Sequence, residues 1–316
     1  MITLEQTAAY LRRYERFLIL THRRPDGDAV GCASALCLGL RALGKDAVIF
    51  PNPQFGAKFA PLLDDLLGTG DPHGRKLVSV DLAAESLLPY NALGLTGHTD
   101  LAIDHHASHT EYARKTYVDG TAAACGEIIL DLLELLGVKL DKRMAEAIYV
   151  AVSTDTGRFC FSNTTAATFR AAAKCREAGA DTASWGRLLF TVKTEGRRRV
   201  EAYLTAHTEV LADGRVAICT LPSAVVKELG ATEDEMDDIA GFPRDLAGVE
   251  IGVMLRDVKD GARISLRTDE HWDASELCEA LGGGGHKAAA GATVPGTLPD
   301  GRRAVLDVLR RFGAEV

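Results

Sequence analysis

The chain has 316 residues, 47% of them hydrophobic and 25% charged, and 36 basic against 44 acidic side chains leave a formal charge of −8. That length holds about two domains with real cores, and no apolar run approaches the ~18–20 residues that a membrane span requires. Apart from Arg197-Arg198-Arg199 there is no long basic run, which argues against a protein that grips long duplex DNA. A small anionic substrate stays open, because bound metals and a few arginines reverse a field locally.

The opening residues lack a basic region followed by an apolar one, so the cytoplasm is the expected compartment. Seven scattered Cys without a C-x-x-C pair read as core packing. In chain order, residues 4–16 have the spacing of an amphipathic helix, and the run 17–21 reads as a buried parallel strand. The strand opens into His22-Arg23-Arg24-Pro25-Asp26-Gly27-Asp28, three metal-ligand side chains on a turn marked by Pro25 and Gly27. An Ala-rich helix is expected over 29–43, with Gly44 as its C-cap, followed by a strand over 47–50. Short β-rich runs at 77–80 and 101–103 end on Asp81 and on Asp104-His105-His106, with a short helix between them at 85–93. This alternation indicates an α/β domain with a largely parallel sheet flanked by helices.

After His106 the pattern turns helical, over 122–136, 141–152 and 165–178, and the middle helix runs into Ser153-Thr154-Asp155. Residues 185–206 carry charge without a strand pattern and are expected to link two domains, 1–184 and 207–316. In the second, strands are expected near 208–219, 248–257 and 262–268, and helices at 222–229, 233–239 and 273–281. Asp213-Gly214 and Asp260-Gly261 supply hairpin turns. This is a smaller α+β domain.

Acids end three apolar runs and one helix: Asp26 and Asp28, Asp81, Asp104 with His105 and His106, and Asp155. Acids are depleted from strands, and the carboxyl ends of strands are where an open α/β sheet gathers its ligand site. Any one of these acids could cap a helix, but the whole set is hard to explain that way. Asp26, Asp28, Asp81 and Asp155 brought together raise one another's pKa, and two divalent cations would neutralise them. Carboxylate mixed with imidazole suits Mn²⁺ first, with Mg²⁺ or Co²⁺ as alternatives. Two such ions activate water and clamp a phosphoryl group, so the pattern points to metal-assisted phosphate ester hydrolysis.

Downstream, Gly282-Gly283-Gly284-Gly285-His286-Lys287 precedes an Ala-Ala-Ala-Gly run. Consecutive glycines let backbone N–H groups approach an anion, and the expected role is a phosphate cradle rather than a flexible loop. Arg267 closes a predicted strand and could present its guanidinium to a phosphate or base.

His22-x-x-x-Asp26-x-Asp28, Asp81, Asp104-His105-His106, Asp155 and Gly283-Gly284-Gly285-His286 together resemble the DHH/DHHA1 phosphoesterase superfamily. The spacing and length are similar to its NrnA-like branch of oligoribonuclease and pAp phosphatase enzymes. The resemblance implies an N-terminal DHH catalytic domain with a dinuclear, usually Mn²⁺, site, and a DHHA1 domain that binds substrate. Carried over by position, it implies one metal on His22, Asp26 and Asp81, and the other on Asp28, Asp81, His105 and Asp155. His106 would lie beside the scissile phosphate, and Asp104 would orient a neighbouring His. His286, the glycines and Arg267 would hold a terminal phosphate, with Arg158 adding to this.

No Ser-Arg-Lys-Lys-Gln string of the family II pyrophosphatases occurs, and no transmembrane, PAS or GGDEF-like segment. The implied partners are short RNA or nucleotides: oligoribonucleotides, pAp, pApA or cyclic-di-AMP, with neither long duplex DNA nor a membrane. A homodimer is compatible with such two-domain relatives. The alternatives are an inorganic pyrophosphatase or exopolyphosphatase, and a non-catalytic cyclic-dinucleotide sensor, whose signature would be a broken metal set.

Overall fold

The computed structural model describes every residue except Asp237 and the side chain of Asp234. The chain divides into two units, Met1–Val192 and Lys193–Val316.

The first unit carries a five-stranded sheet in the order β2-β1-β3-β4-β5, parallel throughout. Its strands are β1 (Arg16–Leu20), β2 (Asp46–Ile49), β3 (Lys76–Val80), β4 (Leu101–Asp104) and β5 (Thr116–Val118). Leu18, Ile19, Val78, Val80, Leu101 and Ile103 are all buried, as expected where helices cover both faces of a parallel sheet. The helices are α1 (Leu4–Arg13), α2 (Gly27–Ala42), α3 (Ala60–Leu63), α4 (Cys125–Leu136), α5 (Lys142–Asp155), α6 (Ala166–Glu177) and α7 (Thr182–Gly186). The edge strand β5 was not expected; at three residues it is too short to show an alternation. Residues 85–93, expected as one short helix, are two 3₁₀ segments, Glu85–Leu87 and Tyr90–Leu95.

The sheet order places a switch point between β1 and β3, whose connections leave toward opposite edges. The carboxyl ends of β1, β3 and β4 therefore lie side by side, and each is followed by one of the acid groups. Asp26 is the N-cap of α2, its Oδ1 accepting from the N–H groups of Asp28 (3.0 Å) and Ala29 (3.1 Å). The helix thus begins two residues earlier than expected, with Asp28 on its first turn. Gly27 sits against the last turn of α5: a Cβ there would lie 2.4 Å from Thr154 Oγ1. Its missing side chain lets α2 approach the residue next to Asp155.

The second unit holds a mixed sheet in the order β10-β11-β9-β8-β7-β6. Its strands are β6 (Glu209–Leu211), β7 (Val216–Leu221), β8 (Ile251–Val258), β9 (Gly261–Thr268), β10 (Gly284–His286) and β11 (Ala289–Val294). Among the described residues, only β7 and β8 pair in parallel. The helices are α8 (Glu195–His207), α9 (Ser223–Glu228), α10 (Ala274–Glu279) and α11 (Leu298–Arg311). Of the stretch expected as a linker, 185–206, most is helical, and Val200 and Leu204 of α8 are buried against Cys219 and Val226. Its charges mislead because Arg197 is itself nearly buried, paired with Glu201 at 2.9 Å one turn on. The helix α11 was not expected either. Its signal is present in Thr297 and Asp300, which cap each other, with Pro299 in the first turn. The helix expected over 233–239 includes Asp237, which lies outside the described residues; on either side are 3₁₀ segments, Glu233–Met236 and Ile239–Asp245.

Candidate metal centre

The group in the first unit is built from loop ends outward. His22 follows β1 and places its Nδ1 2.8 Å from the Arg23 carbonyl, which turns Nε2 toward Asp26 Oδ1 (3.9 Å) and Asp81 Oδ2 (3.8 Å). Asp81 follows β3 in the left-handed region (φ 51°), a conformation that Asp tolerates better than most residues. It is 2% exposed, and its Oδ1 has no hydrogen-bond partner.

Asp28 is buried and gripped by the N-terminus of α4. Its Oδ2 accepts from the Cys125 N–H (2.7 Å), and its Oδ1 from the Gly126 N–H (2.9 Å) and the Cys32 thiol (3.1 Å). His105 sets its Nδ1 3.2 Å from the Ala122 carbonyl. Its Nε2 then faces Asp28 Oδ2 (3.7 Å), Asp81 Oδ1 (3.5 Å) and Asp155 Oδ2 (3.5 Å). Asp155 is the last residue of α5.

Three overlapping sets of ligand atoms result, each within 4.8 Å: His22, Asp26 and Asp81; Asp81, His105 and His106; and Asp28, His105 and Asp155. The electrostatics show what such a group lacks. Burial, followed by the Asp26 charge, pushes the Asp28 carboxyl up to about 7. Burial, followed by the Asp28 charge, does the same to Asp155, also to about 7, and moves Asp81 well above the carboxylate range. Carboxylates crowded around a buried oxygen with no donor are what divalent cations neutralise. The donor set, oxygen and imidazole without thiolate, fits such ions.

Asp104 lies apart from these three sets. Its Oδ1 is 2.8 Å from His106 Nδ1 and its Oδ2 is 2.8 Å from His109 Nδ1. Burial raises this carboxyl, but the hydrogen bonds from His106 and His109 outweigh burial and hold it well below the usual range. His109 was missed in the sequence, although a third imidazole three residues beyond His106 was a visible signal.

Arg158 is exposed on the turn after α5, in the left-handed region (φ 62°), with its guanidinium 5.5 Å from the Phe190 ring centroid. The remaining predicted residues belong to the second unit. The glycine run is not a free loop: Gly284–His286 is the edge strand β10, paired antiparallel with β11. Gly283 is required by packing, since a Cβ there would lie 2.2 Å from the Gly291 carbonyl oxygen. Arg267 pairs with Ala289, and Ala289 with His286, so the three form one row across β9, β11 and β10. Directly paired residues share a face, which sets Arg267 and His286 on one side of the sheet, about 10 Å apart over a small alanine.

Residues 16–152 match the DHH family, N-terminal domain, and residues 214–315 match the DHHA1 domain. The bifunctional oligoribonuclease and PAP phosphatase NrnA of Thermus thermophilus is 32% identical over 92% of this chain and 88% of its own length. The chain belongs to the DHH/DHHA1 family, in its NrnA-like branch. NrnA of Bacillus subtilis is 24% identical over 89% of this chain and 90% of its own. Among solved structures, an exopolyphosphatase-related protein from Bacteroides fragilis superposes with a TM-score of 0.85 at 20% identity, over 98% of this chain and 96% of its own. That likeness is one of fold. DHH-family phosphoesterases use divalent metals, and the acidic and imidazole groups described above could hold them.

Proposed function

We propose that the chain is a divalent-metal-dependent phosphoesterase of short substrates: oligoribonucleotides of a few nucleotides, pAp, and linear or cyclic dinucleotides such as pApA and cyclic-di-AMP. The observation that carries this reading is Asp81 Oδ1, buried without a partner and 3.5 Å from both His105 Nε2 and His106 Nδ1. It is joined by the similarity to NrnA proteins along nearly the whole chain.

His22, Asp26 and Asp81 would hold one ion, and Asp28, Asp81, His105 and Asp155 the other, Mn²⁺ being the ion that this mixed set suits. Bound there, divalent ions supply an activated water and charge stabilisation for a phosphoryl group. His106 does its work from the opposite nitrogen. With Nδ1 held by Asp104, its Nε2 is left for a phosphoryl oxygen. The Asp104 hydrogen bond also raises the imidazole above its usual range despite burial, so that a proton is held ready to donate. The row of Arg267 and His286, with the outward N–H groups of an edge strand beside it, would bind the substrate's terminal phosphate. Arg158, on the turn beside Asp155, would add a further cation. Cytoplasmic location and a homodimeric state belong to the same reading and rest on the family resemblance.

The test is a Mn²⁺-supplemented panel of pAp, pApA, 5′-labelled oligoribonucleotides of two to about ten residues, cyclic-di-AMP and pyrophosphate. Turnover of the nucleotides with little of pyrophosphate is expected. Preferred pyrophosphate turnover would establish the inorganic-chain alternative, and tight cyclic-di-AMP binding without hydrolysis of anything would establish the sensor.

A further inference from the structure

We propose that His109 is a positioning residue of this centre: through the far oxygen of Asp104 it fixes the orientation of His106. The inference rests on the phosphoesterase reading for its kinetic consequence, but not for its structural one.

Asp104 is fully buried and spans two imidazoles. Its Oδ1 accepts from the backbone N–H groups of His105 (2.8 Å) and His106 (3.3 Å) and from His106 Nδ1 (2.8 Å). Its Oδ2 accepts from His109 Nδ1 at 2.8 Å. An ionised carboxylate only accepts, so both imidazoles must present an Nδ1–H to it. The two rings pull on opposite oxygens and leave the carboxylate one rotation about its Cβ–Cγ bond. Without the His109 donor, Oδ2 would be a buried charged oxygen lacking a strong partner, and the carboxylate would turn to recover one. Oδ1 would then leave His106. A competing acceptor is already at hand, because His106 Nδ1 lies 3.5 Å from Asp81 Oδ1. His109 therefore keeps His106 on Asp104 and off Asp81.

The surroundings of His109 argue that this bond is its purpose. The imidazole is 2% exposed, and its Nε2 is buried with no partner. The ring centroid is 5.1 Å from that of Tyr112, whose hydroxyl is engaged with Ser79 (2.7 Å) and the Leu82 carbonyl (3.0 Å). The turn is braced at both ends, by His109 N–H to the His106 carbonyl (3.1 Å) and Thr110 N–H to the Ala83 carbonyl (2.9 Å). As mere filling for this space a leucine would serve better, since it strands no polar atom. A buried imidazole whose one polar contact is Asp104 is explained by what that contact does.

The discriminating variants are His109→Leu and His109→Asn, because an Asn amide can donate from about where Nδ1 sits. In the full-length, Mn²⁺-loaded protein acting on pApA, His109→Leu should lower kcat by about tenfold or more, with KM changed less than about threefold. Mn²⁺ affinity by thermal-shift titration should change little, and Tm should fall modestly in His109→Leu, where a buried carboxylate oxygen loses its donor, and less in His109→Asn. His109→Asn should recover most of kcat. Independently of turnover, histidine-selective ¹⁵N spectra should show the His106 Nδ1–H signal of the Asp104 hydrogen bond at one position in wild type and His109→Asn, and that signal displaced or lost in His109→Leu. Retention of that signal at its wild-type position in His109→Leu, or wild-type kcat, overturns the inference. So does equal loss of kcat and Tm in both variants, which would mark a packing role. Wild-type protein inert on every nucleotide, yet showing the His109-dependent signal, would remove the phosphoesterase reading and leave the clasp standing.

Discussion

The two units carry two kinds of polar site. In the first, carboxylates are buried together, and their neighbours are imidazoles and the backbone amides of α4. In the second, an arginine and a histidine stand on a sheet face over glycine and alanine, with Gly284, Gly285 and His286 exposed. The first arrangement stores a charge imbalance that only a ligand of opposite sign relieves. The second stores less: burial disfavours the charge of Arg267, which donates to the Leu266 carbonyl (2.9 Å), but no group of acids is crowded there and His286 is exposed. The first site burdens its own fold more than the second does, as expected if the proposed chemistry belongs to the first and substrate holding to the second.

Breaking the first should be the more drastic. Asp81→Asn removes the acid common to two ligand sets and should abolish turnover, by about a thousandfold or more. Because the acid is a burden without metal, metal-free Tm should stay level or rise, while the Tm gain on adding Mn²⁺ should shrink or vanish. Activity near wild type in this variant would refute the assignment of Asp81.

The pH response sharpens the same contrast. Asp28 and Asp155 carry folded-state values of about 7 against an ordinary 3.8, so the metal-free folded protein binds more protons than the unfolded chain between those limits. Their contribution is fully present below the ordinary value and is lost as pH rises through about 7. Metal-free Tm should therefore fall between pH 5 and 8, and the stabilisation by Mn²⁺ should grow over the same range. A metal-free Tm that rose monotonically with pH in that window would contradict the crowding of these acids.

The smallest effect should come from the second unit. Arg267→Ala is expected to raise KM for pApA by roughly tenfold to a hundredfold, the worth of one charged hydrogen bond, with kcat and Mn²⁺ affinity little changed. If kcat fell while KM held, Arg267 would belong with the chemistry instead.

Much of the first unit is legible along the chain. Its strands are largely apolar runs, and an acid ends or follows each relevant one, so Asp26, Asp81 and Asp104 stand out against strand composition. Less of the second unit is. The buried Val200 and Leu204 of α8 lie among arginines, and α11 is signalled only by the short capping pair Thr297 and Asp300. The four glycines are legible as an anomaly but not as an edge strand, because their meaning depends on which backbone lies opposite. At Gly283 it is the Gly291 carbonyl.

What the sequence by itself determined is the inventory: which residue types end which elements, and that a mixed carboxylate and imidazole set exists. These follow from preferences that act over a few residues, and a single chain displays them. Only the tertiary structure decided the partners. It set β1, β3 and β4 side by side, brought the Cys125 and Gly126 amides to Asp28 across nearly a hundred residues, and laid Gly27 against Thr154. It also turned His109 back on Asp104, leaving one oxygen for His106. The opening turn from His22 to Asp28 is half of a site whose other half is supplied by packing. The physical reason is that a hydrogen bond or a close approach between distant segments depends on how whole elements pack, and local spacing does not encode it.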